Sequence, residues 1–132
     1  MNYLLDTHTL LWNLISTKKL SIKVKKIISN PQSDIFISTV SLWEISLKYR
    51  IGKLDLEGKN PEEIPGAIKS SGFNILNLDE DTAVTFYKFP ELKNQDPFDL
   101  MLAWQAISGD FVLLTKDPGF RSFSNYGLKT IW

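Results

Sequence analysis

The feature that most constrains this chain is an alternation that runs its full length, in which a short apolar run is followed by a longer stretch with helical spacing. Strand candidates fall at 3–5, 34–37, 74–76, 111–114 and 128–131, continuously apolar at 3–5 and 111–114 and mixed at the others. Between them, 8–15, 21–29, 40–51, 61–71, 79–86 and 97–108 carry helical periodicity or helix-start signals. Ser21, and Ser38 or Thr39, stand where N-caps belong, and Pro65 interrupts 61–71 early. Residues 90–95 read as a polar connection, and Gly109-Asp110 closes 97–108. Asp117-Pro118 opens a short helical turn. Strands joined by helices point to a parallel α/β sheet of about five strands, covered on both faces. No linker or repeat divides it, so one domain spanning 1–132 is expected.

In such sheets, sites form beyond the carboxyl ends of the strands. Asp6 directly follows the first apolar run, and Asp117 lies three residues after the fourth. Asp96 and Asp99 begin the helix leading into that fourth run, and Glu44 sits on the helix after the second. Carboxylates crowded on one rim repel one another, and burying them ionised is costly. A divalent cation removes the objection, and carboxylates with retained waters suit Mg²⁺ or Mn²⁺. Simpler readings exist for each. Asp6 can cap the first helix, with Thr7 as a rival. Asp96-Pro97 and Asp117-Pro118 are cap-and-proline pairs, and Asp99 stands where a capping box reaches back. Helical spacing sets Glu44 on a stripe with Val40, Leu47 and Ile51, where a carboxylate needs a partner. The simple partner is Lys48 at i+4, and a metal cluster explains the position better. The lone histidine, His8, reads as structural.

Other chemistries are poorly served. There is no cysteine, which removes disulfides and thiol nucleophiles and suits a reducing cytoplasm. With a single histidine, a Ser-His-Asp site has little to build on. The glycines form no phosphate-binding loop. No apolar run approaches the ~20 residues of a membrane span, and the N-terminus lacks the basic segment of a secretory signal. Charge is balanced, with 15 basic and 15 acidic residues, so the basic excess common in nucleic-acid binders is missing. Lys18, Lys19, Lys23, Lys25 and Lys26 form a local surplus that reads most simply as a solvated helix face.

Four segments, LLDTHTLLW, STVSLWEISLKYRIGKL, DPFDLMLAWQA and LLTKDPGF, resemble in order and spacing the PIN domain. More narrowly, they resemble the VapC-type toxins of bacterial type II toxin–antitoxin pairs. The resemblance implies a Rossmann-like α/β/α sandwich and a Mg²⁺- or Mn²⁺-dependent endoribonuclease, a hydrolase of RNA phosphodiesters. It assigns the catalytic acids to Asp6, Glu44, Asp99 and Asp117, with Asp6 and Asp99 as metal ligands and Thr115 as a polar companion at the substrate. It also implies an antitoxin partner that blocks the acidic pocket, and a toxin homodimer. The chain departs from close relatives beside the D-P-F-D core, where Asn94-Gln95 and Leu100 replace the histidine and arginine often found there.

In this reading Glu44 orients or deprotonates the attacking water, and Lys48, Arg50, Lys53 and Lys116 hold the RNA backbone. Alanine at Asp6 or Asp99 is expected to remove cleavage and leave the fold intact. Trp12, Trp43, Tyr49, Trp104 and Trp132 are more aromatic surface than a small core easily absorbs, which favours a protein partner. Two alternatives stand beside the ribonuclease. An aspartate-nucleophile phosphatase or phosphotransfer domain expects D-x-D after the first strand, where this chain has His8. A non-catalytic PIN-like binding module would bind no ion.

Overall fold

The structure is a computed structural model that describes residues 1–90 and 96–132. The expected alternation is present. Strands β1 (Asn2–Leu5), β2 (Asp34–Ser38), β3 (Asn74–Leu76), β4 (Val112–Leu114) and β5 (Lys129–Ile131) form one sheet in the order β3-β2-β1-β4-β5. Every pairing is parallel. Helices α1 (Thr7–Ile15), α2 (Ile22–Ser29), α3 (Thr39–Arg50), α4 (Ile64–Ser70), α5 (Glu80–Thr85) and α6 (Pro97–Gly109) make the connections. Most of the 90–95 connection lies outside the described residues.

Side chains alternate across the strands, so neighbouring leucines serve opposite faces. Leu5 and Leu114 enter a core with Leu10, Val24, Ile45 and Ile68. Leu4 and Leu113 enter a second core with Leu102, Ala106, Phe120 and Phe123. Apolar side chains on both faces require covering layers, which is why these runs are continuously apolar.

Three local expectations change. Pro65 does not interrupt a helix: a 3-10 turn, Pro61–Glu63, precedes α4, and Pro65 sits in the first turn of α4, where its missing N–H has no helical partner to lose. The turn after Asp117 extends into a 3-10 segment, Pro118–Tyr126, because Phe120 and Phe123 plug into the second core. Along α3 and its C-cap, the stripe assigned to Glu44 is buried only in its first half, at Val40 and Glu44, while Leu47 and Ile51 are 38% and 54% exposed. The buried face is Val40, Ser41, Glu44 and Ile45.

Strand order positions the site. From β1 the chain steps outward through β2 and β3 on one side, and β4 and β5 lie on the other. Between β1 and β4 the connections diverge, which opens a crevice at their carboxyl ends. Asp6 leaves β1 there, and Thr115 leaves β4.

Candidate active site

Asp6 is 4% exposed and makes two contacts. Its Oδ1 accepts the Thr9 N–H at 2.8 Å, capping α1, and its Oδ2 accepts the Thr115 hydroxyl at 2.5 Å. The backbone N–H of Asp6 donates to Leu114 O at 3.2 Å, and Thr9 Oγ1 donates to the same carbonyl at 3.0 Å. β1 and β4 are thus stitched together at the crevice. Burial raises the Asp6 carboxyl above its ordinary value, against the pull of hydrogen bonds from Thr115 and Thr9 and the charge of His8. An alanine here would lose a cap and strand the Thr115 hydroxyl, so the expectation that such a change spares the fold needs revision.

Thr115 also accepts the Asp117 N–H at 3.1 Å, and Asp117 Oδ1 accepts the Gly119 N–H at 2.8 Å. One hydroxyl therefore ties the buried acid to the exposed one on the following loop.

Glu44 is 3% exposed. Its Oε1 accepts the Thr7 hydroxyl at 2.6 Å, and Ser41 Oγ lies 3.0 Å from that hydroxyl. Its Oε2 pairs with Lys48. The i+4 partner weighed as the simple alternative is therefore formed, but around a buried carboxylate. For Lys48, burial opposes the charge, yet the bond to Glu44 and the fields of Glu44, Asp96 and Asp99 outweigh it and raise the ammonium above its usual value. Lys48 is committed to the acidic cluster, whereas Arg50 is exposed in the last turn of α3, roughly 9 Å along the axis beyond Glu44.

Asp96 caps α6, accepting from Phe98 N at 2.7 Å and Asp99 N at 3.4 Å. Asp99 follows as the third helical residue. Its carboxyl is pushed up to about 7, first by burial and then by the charges of Asp96, Glu44, Asp6 and Asp117. The other four acids singled out in the sequence thus lie within electrostatic reach of Asp99.

Beside Asp6 opens a cleft of about 360 Å³, lined by Asp6, His8, Trp12, Lys116, Asp117 and Pro118. His8 stacks on Trp12 with ring centroids 5.8 Å apart, and Trp132 meets Trp12 edge-on at 5.7 Å. Lys116 Nζ stands 6.0 Å from the Trp12 ring centroid. Reading His8 as merely structural overlooked this wall; the signal was its i, i+4 spacing to Trp12 on a helix that starts at Asp6. The buried hydroxyls of Thr7, Thr9 and Ser41 were also overlooked, since small polar residues inside apolar segments carry little pattern.

The donor set suits a hard divalent cation, because every candidate ligand is a carboxylate. Among the described residues, no three His, Asp or Glu side chains are gathered tightly enough to form a ready-made cage. Nor, among them, does any buried side-chain nitrogen or oxygen lack a hydrogen-bond partner. Burial and the neighbouring acids raise Asp99, and a bound cation would offset that crowding.

The PIN domain family model matches residues 3–125. No curated protein sequence matches the chain. Among solved structures, the chain is similar to VapBC-1 from nontypeable Haemophilus influenzae, with 21% identity, 99% of this chain and 97% of that one covered, and a TM-score of 0.66. It is similar to promoter-DNA-bound VapBC2 from Rickettsia felis, with 21% identity, 99% and 98% covered, and a TM-score of 0.64. DNA-bound VapBC from Salmonella typhimurium gives 21% identity, 99% and 97% covered, and a TM-score of 0.63. At such identity these likenesses establish the fold.

Proposed function

The chain belongs to the PIN domain family, and from that premise we propose that it is a Mg²⁺- or Mn²⁺-dependent endoribonuclease, the VapC-type toxin of a toxin–antitoxin pair. The observation that carries the chemistry is the Asp99 carboxyl, held at about 7 by burial and by Asp96, Glu44, Asp6 and Asp117. A protein keeps such unfavourable crowding where function uses it. The toxin role is supported by the resemblance of the four segments and by the VapBC complexes among its structural neighbours.

Asp6 and Asp99 would hold the ion. The chemistry supplied when it is bound is charge neutralisation at the phosphoryl group and activation of water. Thr115 fixes the rotamer of Asp6 and carries the Asp117 loop, so those two acids keep a constant relation. Glu44 is held from one side by Thr7 and from the other by Lys48. Lys48 partly neutralises the cluster, and Glu44 is the carboxylate that would take the proton of the attacking water. Hydrolysis joins the water oxygen to phosphorus, breaks the bond to the bridging oxygen, and returns a proton to the leaving group. Lys116, at the cleft, is better placed than Arg50 to hold the RNA backbone.

The partners in this reading are RNA, an antitoxin and a second copy of the chain, in the cytoplasm. No helix among the described residues is long and apolar enough to cross a membrane. The test is cleavage of single-stranded RNA by purified protein in Mg²⁺, Mn²⁺ or EDTA. Cleavage should need the ion and drop to background in Asp6→Asn and Asp99→Asn. Parent-like cleavage by Asp99→Asn would overturn the mechanism, and failure of the parent to bind Mn²⁺ would favour a non-catalytic module. End-mapping of RNA fragments after controlled expression identifies the substrate.

A further inference from the structure

We propose that the cleft lined by His8, Trp12 and Lys116 is a nucleobase subsite, which stacks one unpaired RNA base beside Asp6 and holds its phosphate. The proposal rests on the ribonuclease reading and adds to it the group that places the strand. Three observations carry it. The first is size: about 360 Å³ is enough for one small ligand, within the ~300–1,000 Å³ of typical sites. The second is the wall. His8 is exposed, stacks on Trp12, and Trp12 is braced edge-on by Trp132, which gives a supported aromatic plate next to the acid. Aromatic plates bind single-stranded bases with little regard to sequence, because every base has a π-face. The third is Lys116, exposed and standing over the Trp12 ring.

Lys116 also decides what kind of occupant fits. A cationic peptide side chain seeking Trp12 would meet an ammonium already in the cation–π position. A nucleotide offers the ammonium a phosphate to move to, and its base takes the place against the ring that the ammonium leaves. Asp6 and Asp117 lie in the same cleft, so the backbone next to a base held here runs toward the acidic cluster.

The test is binding in EDTA, where no metal-dependent cleavage competes, read by fluorescence anisotropy. The probes are labelled hexa-adenylate and a hexamer of the same ribose-phosphate backbone without bases. The parent should bind the base-bearing hexamer more tightly. Trp12→Leu should lose ~5- to 100-fold of affinity for hexa-adenylate, the range for one stacked base, and bind the abasic hexamer unchanged. Trp12→Phe, which keeps a plate, should recover most of the loss; His8→Ala, at an exposed position, should lose a smaller part. Lys116→Gln should weaken both probes and lower the salt slope by about one. Circular dichroism checks that Trp12→Leu is folded; if it is not, His8→Ala and Trp12→Phe carry the comparison. Equal binding of the two hexamers by the parent overturns the subsite, as does a folded Trp12→Leu that binds hexa-adenylate like the parent. An oligo-arginine peptide that loses affinity in Trp12→Leu while RNA binding holds would also overturn it, assigning the cleft to a protein. If the parent binds neither hexamer, the subsite is overturned; the ribonuclease reading falls with it only if the parent also cleaves no RNA in Mg²⁺ or Mn²⁺.

Discussion

Replacing Asp99 with asparagine should stabilise the protein while it abolishes activity, and the gain should depend on pH in a defined direction. The Asp99 carboxyl titrates at about 7 in the folded chain, against 3.8 for an unperturbed group. Between those values the folded state keeps a proton that the unfolded state has released, so stability falls as pH rises. Below the lower value there is no penalty; above the upper one it is complete. The shift corresponds to about 4 kcal/mol. Asp99 is only partly buried, and solvent screening reduces this to about 2 kcal/mol. One effect opposes the gain: a carboxylate in the first turn of α6 favours the helix dipole, by ~0.3–1 kcal/mol. Crowding is the larger effect, so the net gain at about pH 8 should be roughly 1–2 kcal/mol, or a Tm rise of about 4–8 °C. At about pH 4.5 the parent is largely spared the penalty and the advantage should shrink to a few tenths of a kcal/mol. The assay is urea denaturation of both proteins at the two pH values in EDTA. Addition of Mg²⁺ at the higher pH should then stabilise the parent and leave Asp99→Asn nearly unchanged. An asparagine variant no more stable than the parent at pH 8 would show that the other acids do not crowd Asp99, and the case for a cation there would lose its physical basis.

Other expectations follow from the same contacts. Asp6→Ala should cost about 2–3 kcal/mol, since it removes the α1 cap and leaves the buried Thr115 hydroxyl proton without its acceptor; Asp6→Asn should cost less, and thermal unfolding separates them. Lys48→Met should destabilise by about 1–2 kcal/mol at neutral pH, less than the 3–5 of a fully buried pair because Lys48 is 34% exposed. Its urea midpoint at neutral pH reads the loss. Ser38→Ala removes both the α3 cap and the 2.5 Å bond to Gln105, and a loss of about 2 kcal/mol should appear in the same measurement. Light scattering at micromolar concentration tests the homodimer, and a monomer would count against it.

The inner strands β1, β2 and β4 are readable to within a residue or two because central parallel strands are largely apolar on both faces; the edge strands β3 and β5 are short and partly polar, and they are placed by the alternation with helices. Their order was not readable. β1 lies beside β4 because the crossovers lead the chain back across the sheet, and no local residue pattern records which side a crossover takes. The acids of the site were visible as residues, but their convergence depends on that order. Leu47 and Ile51 misled for a different reason. Val40, Glu44, Leu47 and Ile51 do share helical spacing, yet α3 packs toward α1 and α6 through Val40, Ser41, Glu44 and Ile45 and leaves Leu47 and Ile51 outside. Periodicity finds a stripe; it does not say whether a layer covers it.

The sequence also posed cap and site as rivals for Asp6, Asp96 and Asp117, and the structure shows why they are not. In a parallel sheet the segments after strands begin at the carboxyl edge, and a helix leading into the next strand starts there too. Asp6 caps α1, Asp96 caps α6 and Asp117 caps the 3-10 segment, so capping itself brings three acids to the edge where sites form. Each cap bond uses part of a carboxylate with about four acceptor sites, leaving the rest free. Asp79 serves as a control. It too is a cap, for α5 after β3, with its Oδ1 2.7 Å from Thr82 N. But β3 is the edge strand. There the hydrogen bonds from Thr82 hold the exposed carboxyl below its ordinary value. Asp99 lies at the opposite extreme, raised by burial and by the acids around it. Two acids in the first turns of two helices thus shift in opposite directions. What separates them is burial, the company of other acids, and the cap bonds from Thr82 that Asp79 accepts as the cap of its helix, not residue type. Capping delivers carboxylates to the rim, and strand order decides which of them must share a charge.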